Sequence, residues 1–181
     1  TGGTHYNSRL NISVWDGAEL LLPKLSAIND GASGDARQRA INLLADGYAS
    51  RIHAPLLTTF TDVDSAYNSG YSTLTGLNGG QISIPAIESM AGIAVSRDRS
   101  SDITLSSVVN LSRSVINATR GANIALPLVL TAPDTQFTAD SATIQLPALT
   151  SLRRGGLTLR GEANIHVPLL TNIDGSSLEV S

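Results

Sequence analysis

Apolar residues recur at fixed distances from seven marker positions along this chain. The markers are Pro23, Pro55, Pro85, Ser106, Pro127, Pro147 and Pro168, and their successive spacings are 32, 30, 21, 21, 20 and 21 residues. In all seven units, the positions three before, one before, two after and five after the marker are apolar. An internal repeat of this length is typical of solenoid proteins.

The alternation within each unit predicts short strands. The position between the first two apolar columns varies freely, being Leu21, His53, Ser83, Thr104, Ala125, Gln145 and His166 in the seven units. This period of two is the pattern of a half-buried strand. A second strand is predicted to open most units, as at 12–14, 74–76, 137–139 and 157–159, with a corner of small residues after it.

These patterns predict an all-β fold, a parallel β-solenoid (β-helix) of about seven coils with a repeat of about 21 residues. Successive coils are expected to stack about 4.8 Å apart. The prolines are predicted to mark coil corners, where a missing N–H does little harm. Residues 1–181 are expected to form one domain, a fragment of a longer protein that could self-associate through its coil ends, because 177–181 resembles the start of another coil.

The first two spacings are about ten residues longer than the others, which predicts insertions near 29–40 and 61–72. In the first, Ser33 has the character of a helix N-cap and Gly47 that of a helix stop. A short helix or an ordered external loop is therefore expected there.

Composition removes several functional classes. The formal charge of −3 argues against a nucleic-acid partner, and no apolar run approaches the length of a membrane span. Cysteine is absent and the three histidines are scattered, so neither a zinc site nor any other cofactor is predicted.

Aromatic and acidic residues in the first two units form the candidate ligand site. Its members are Trp15, Tyr48, Asp62, Asp64, Tyr67 and Tyr71. Aromatic faces beside acids and amides suit a sugar or a peptide. The alternative is that the aromatics cover the edge of the N-terminal coil.

No catalytic residues are predicted. A glycoside hydrolase needs two carboxylates within about 5–9.5 Å, whereas Glu19 and Asp102 share a column three coils apart, about 14 Å. Glu19 is expected to pair with Arg51 instead. The charged segment 96–102 remains either an anion or acid site, with Asp98 and Asp102 as candidates, or a solvated corner.

The C-terminal stretch LPALTSLRRGGLTLRGEANIHVPLLTNIDG resembles the repeats of receptor L domains and fungal cell-wall L-domain proteins. Those repeats combine a P-x-L-x-x-I-x-G turn with L-x-I-x-x-N. The resemblance implies a right-handed β-helix and extracellular recognition, and it transfers no functional residue.

We therefore expect a non-catalytic extracellular or cell-surface module for adhesion or for recognition of a glycan or protein. Two alternatives remain open. One is a polysaccharide lyase or glycoside hydrolase built on a parallel β-helix, and the other is a purely structural spacer.

Overall fold

The chain is all-β in the computed structural model, which describes residues 5–35, 37–63 and 70–181. No helix occurs in these ranges. The strands are β1 Arg9–Val14, β2 Glu19–Leu21, β3 Ala27–Asp30, β4 Ala40–Asp46, β5 Arg51–His53, β6 Thr59–Asp62, β7 Ser72–Leu77, β8 Gln81–Ser83, β9 Ser89–Ala91, β10 Ile93–Arg97, β11 Asp102–Ile103, β12 Asn110–Ser112, β13 Val115–Thr119, β14 Asn123–Ala125, β15 Gln136–Asp140, β16 Thr143–Gln145, β17 Gly156–Arg160, β18 Asn164–His166 and β19 Ser177–Val180.

Equivalent strands of successive units pair in parallel. The opening strands form one eight-stranded sheet, the long sheet, in the order β1-β4-β7-β10-β13-β15-β17-β19. The strands before the marker form β2-β5-β8-β11 and β14-β16-β18, and those after it form β3-β6-β9-β12. All-β structure with parallel strands in stacked sheets is thus confirmed, and it is consistent with the predicted solenoid. The expected strand at the C-terminal end is also present, because β19 pairs with β17.

The four apolar columns form the interior. In the middle units they are buried, and equivalent residues are direct neighbours, as in the pairs Ile52↔Ile82 and Phe60↔Met90. A single hydrophobic cluster extends from Val14 to Leu157. Stacking of equivalent apolar residues removes their side chains from water, which stabilises the fold by about 25 cal/mol per Å² of buried apolar area.

The marker prolines occupy tight turns. Leu25 N donates to Leu22 O, and Leu149 N donates to Leu146 O, so Pro23 and Pro147 lie at the second position of four-residue turns. Proline suits that position because its φ is already fixed and its absent N–H is not needed. The prediction that the marker prolines lie in turns and not within strands is confirmed.

The predicted helix in the first insertion is wrong. Residues 40–46 form β4, which pairs with β1 on one side and β7 on the other. Ile41, Leu43 and Ala45 are buried while the residues between them are only half-buried, which is a twofold and not a helical pattern. Backbone pairing on both edges therefore overrides local helix propensity. The extra residues lie at 31–39 and 63–71, between strands.

Buried hydroxyl groups satisfy backbone N–H groups at the start of the long sheet. The fully buried Ser72 accepts a hydrogen bond from Ile41 N at its Oγ over 2.9 Å. The fully buried Ser114 accepts one from Ile93 N over 3.2 Å. Leaving such an N–H unpaired would cost about 1–3 kcal/mol.

Gly80 is required by the close approach of two units. A Cβ built on Gly80 would lie 2.0 Å from Ala45 O, a backbone atom that cannot move without breaking the long sheet. We expect Gly80→Ala to lower the free energy of unfolding by about 2–3 kcal/mol, measured by urea denaturation.

Gly31→Ala is the control, because a Cβ at Gly31 meets nothing within 4 Å. Equal stability of the two variants would contradict the packing described here.

Candidate binding groove

One corner of the molecule breaks the repeat by a single residue. Asp46 pairs with Leu77 and Arg51 pairs with Gln81, so both flanking strands stay in register. Four residues (47–50) connect the strands in the second unit, whereas three (78–80) do so in the third. The second unit must therefore bulge outward at this corner.

Tyr48 is the side chain that the bulge exposes. It is 88% exposed, more than any other large apolar or aromatic residue among those described. Its neighbours in the adjacent units are Gly17, whose built Cβ would lie 3.6 Å from Tyr48 O, and Gly79, whose built Cβ would lie 3.2 Å from Tyr48 Cα. With no side chains on either side, the Tyr48 ring is accessible from solvent.

Tyr48 lines an open groove of about 670 Å³. Its full lining is Gly17, Glu19, Tyr48, Ala49, Arg51, Asn78, Gly79, Gln81 and Ser100. Three polar members, Glu19, Arg51 and Gln81, stand at the start of β2, β5 and β8 and form one column. The other two, Asn78 and Ser100, lie in the turns between strands. The groove therefore combines one aromatic side chain with amide, hydroxyl and charged groups.

The expected pair of Glu19 and Arg51 is confirmed. Arg51 Nη1 lies 3.6 Å from Glu19 Oε1, and both side chains are partly exposed. An exposed pair of this kind contributes little stability. It leaves a guanidinium and a carboxylate available at the surface of the groove.

Asp98 fixes the neighbouring corner. Its Oδ1 accepts hydrogen bonds from the N–H and hydroxyl groups of Ser100 and Ser101, at 2.6–3.1 Å. Its Oδ2 accepts one from Asn78 N in the preceding unit, at 3.0 Å. Asp98 is buried and not solvated. Its hydrogen bonds, here called the Asp98 latch, connect the turn at 98–101 with Asn78 of the preceding unit.

Burial alone would raise the pKa of the Asp98 carboxyl. Hydrogen bonds from the Ser101 hydroxyl, Asn78 N and the Ser100 hydroxyl favour the charged form and lower this pKa from 3.8 to about 2. The remaining acid of segment 96–102, Asp102, pairs with Arg97 at 2.9 Å. The hydrogen bonds therefore keep the Asp98 carboxylate in its charged form at neutral pH.

The structure separates the aromatic residues that were predicted to act together. Trp15, 53% exposed, directly follows β1 and lies at the same corner as Tyr48. Tyr71 precedes β7, at the opposite end of the strands of the long sheet, and the six extended residues of β7, Ser72–Leu77, lie between it and the corner that carries Tyr48. That distance is about 20 Å. Tyr67 and Asp64 lie outside the described residues.

Asp62, another predicted site residue, lies inside the protein and not at its surface. It is buried, and its Oδ2 accepts hydrogen bonds from Ser72 N and Ser72 Oγ at 3.0 and 2.8 Å. Its partner in the sheet, Asp30, is also buried and lies 3.1 Å from Arg39 Nη2. Each insertion is thus closed by an aspartate before it and a polar residue at its end.

Asn78, Gln81 and Ser100 were not among the predicted site residues. Gln81 could have been found from the column that it shares with Glu19 and Arg51. Asn78 and Ser100 belong to corners whose loop lengths become visible only once the strand registers are known.

The part of the chain that the structure describes contains no cluster of three or more potential metal ligands. Within the same residues, no helix is long and apolar enough to cross a membrane. Comparison of the chain with protein-family models, curated proteins and solved structures gave no match.

Because of the Asp98 latch, we expect the free energy of unfolding to fall at acid pH. Since the folded-state pKa is below the unfolded one, this stabilisation is fully present above about pH 4 and is lost as the pH falls toward 2. A lowering from 3.8 to about 2 corresponds to about 2 kcal/mol. Asp98→Asn should therefore be less stable than the parent at pH 7, and the difference should shrink at pH 2–3.

Urea unfolding at several pH values measures this difference. Asp140→Asn, at an exposed carboxylate, is the control and should track the parent throughout. A gap between Asp98→Asn and the parent that is constant with pH would exclude the latch.

Proposed function

We propose that this chain is a non-catalytic β-solenoid module that recognises glycans through the Tyr48 groove. The first four units contribute three strands each and the next three contribute two, and most of these strands pair in parallel with their counterparts in adjacent units, which supports the solenoid. The resemblance to L-domain repeats is compatible with it and suggests a right-handed path. The proposal includes an extracellular or cell-surface location and a role in adhesion, where glycan ligands are available.

The exposure of Tyr48 is the observation that carries this proposal. The exposed Tyr48 ring, with Gly17 and Gly79 on either side, offers a flat apolar face that fits the C–H face of a sugar ring. Around it, the amides of Gln81 and Asn78 offer donors and acceptors to hydroxyl groups. Ser100 offers its oxygen as an acceptor, because its hydrogen is donated to Asp98. A few polar groups beside an aromatic surface are the usual composition of a small-molecule site.

The groove is a poor fit to the hydrolase alternative. Among its lining residues Glu19 is the one carboxylate, and it is engaged with Arg51. A glycosidase requires a second carboxylate about 5–9.5 Å away. Outside the groove, Asp30 and Asp62 form a pair of carboxylates in adjacent units. Both are buried, Asp30 pairs with Arg39, and Asp62 accepts hydrogen bonds from Ser72.

Tyr48→Ala should weaken glycan binding about tenfold or more, because the aromatic face is lost. A glycan array followed by isothermal titration calorimetry on its best hits measures this effect. Tyr71→Ala removes an equivalent ring about 20 Å away and should leave the affinity unchanged. An array without hits, or equal losses in the two variants, would exclude the Tyr48 groove as a glycan site.

Incubation with a panel of polysaccharides should release neither reducing ends nor unsaturated products, because the groove lacks a carboxylate pair. Reducing-sugar and ultraviolet-absorbance assays measure the two products. Turnover that is abolished in Glu19→Gln would show that the module is an enzyme after all.

A further inference from the structure

Two arginines continue the Tyr48 corner into the next two units. Asp98–Ser101 and Thr119–Ala122 each form a four-residue turn that is closed by a hydrogen bond from the last N–H to the first carbonyl. Because Arg97 pairs with Ala118 in the long sheet, Arg99 and Arg120 occupy the same position of successive turns. Both side chains are exposed.

Arg99 and Arg120 line the same hollow of the surface. Adjacent units place their α-carbons about 4.8 Å apart. The stem of Arg99 lies over Gly121, with its Cδ 3.2 Å from a Cβ built on that glycine, so it extends toward the unit of Arg120. Like charges in direct register repel each other, which makes this pair costly in the absence of an anion.

Most other arginines already have a carboxylate partner. These are Arg37 with Asp35, Arg39 with Asp30, Arg51 with Glu19, Arg97 with Asp102, Arg154 with Asp134 and Arg160 with Glu179. Within the described ranges, Arg99 and Arg120 form no ion pair. Their charges are therefore available to a ligand.

Asp98 also lines the hollow between these arginines, which has a volume of about 400 Å³. Its carboxylate accepts hydrogen bonds from Asn78, Ser100 and Ser101 and none from either arginine. One buried negative charge thus faces two exposed positive charges, and the hollow carries a net positive charge.

The hollow adjoins the Tyr48 groove. Ser100 lines both. Tyr48 and Arg99 lie two units apart and Tyr48 and Arg120 three, which corresponds to about 10 and 14 Å along the stack. One extended ligand can therefore contact the aromatic ring and both guanidinium groups.

We propose that the ligand is an acidic glycan, with one sugar ring on Tyr48 and the carboxylate or sulfate group of a sugar further along the glycan held between Arg99 and Arg120. This inference rests on the proposed function of the groove. The planar fork of arginine binds oxyanions in a bidentate manner, which suits both kinds of acidic substituent. The register of the two turns supplies the second arginine at the right spacing.

The test is a titration of polygalacturonate, dextran sulfate and neutral dextran against the parent chain, Arg99→Gln, Arg120→Gln and the double variant. Each single variant should weaken binding of an acidic glycan about tenfold, with a larger loss in the double variant. Increasing salt should weaken binding by the parent and have little effect on the double variant. Which of the two acidic polymers binds identifies the acidic group.

Arg153→Gln is the matched control, because Arg153 is an exposed arginine at a different corner and its substitution makes the same charge change. Equal losses in Arg153→Gln, or binding that none of the variants alters, would overturn the proposal. Polyglutamate that binds as tightly as the acidic glycans, without help from Tyr48, would make the ligand an acidic peptide and also overturn it.

Tyr48→Ala separates this inference from the proposed function. Loss of acidic-glycan binding in Tyr48→Ala but not in the arginine variants would leave the groove as a glycan site and reject the anion site. If neither set of variants alters glycan binding, both proposals fail. Thermal melting of every variant verifies that the fold is retained.

Discussion

Parallel backbone pairing between each repeat unit and the next is the interaction on which this molecule depends. Within the strands the pairing is one residue to one residue, so every strand position faces its own equivalent about 4.8 Å away. Apolar positions gain from this rule because they build a continuous core, as Ile52 and Ile82 do. Charged positions lose from it unless the sign alternates, as it does between Glu19 and Arg51.

Two stacks of like charges among the described residues depart from this alternation of sign. Inside, Asp30 and Asp62 are stacked, and each is engaged by a polar side chain at the end of its own insertion, Arg39 or Ser72. That stack of like charges is thus balanced within the protein, and its contacts join Asp30 to Arg39 and Asp62 to Ser72. Outside, the stacked arginines of the exposed corner have no such partner among the described residues, so only a component from outside the fold can balance them.

The repeat made the core, the strand positions and the proline turns predictable from sequence, because each is repeated seven times and chance agreement is small. Residues 40–46 were misassigned because they directly follow an insertion, which hides their alignment with the repeat, and because their pairing partners β1 and β7 are distant in sequence. Tyr48 was predicted as a ligand residue, but its glycine neighbours were not. Asp98 was identified for its charge, whereas its burial follows from a turn geometry that sequence spacing does not reveal.

The four-residue corner at 47–50 shows that the chain can gain a residue between two strands without a change in the fold. Its extra residue is accommodated entirely between two strands that keep their register, so the rest of the stack does not have to shift. A one-codon insertion or deletion at such a corner therefore alters the outer surface while the core columns stay aligned. Repeat proteins of this kind can acquire a new ligand preference by small changes in loop length, without first having to redesign their interior.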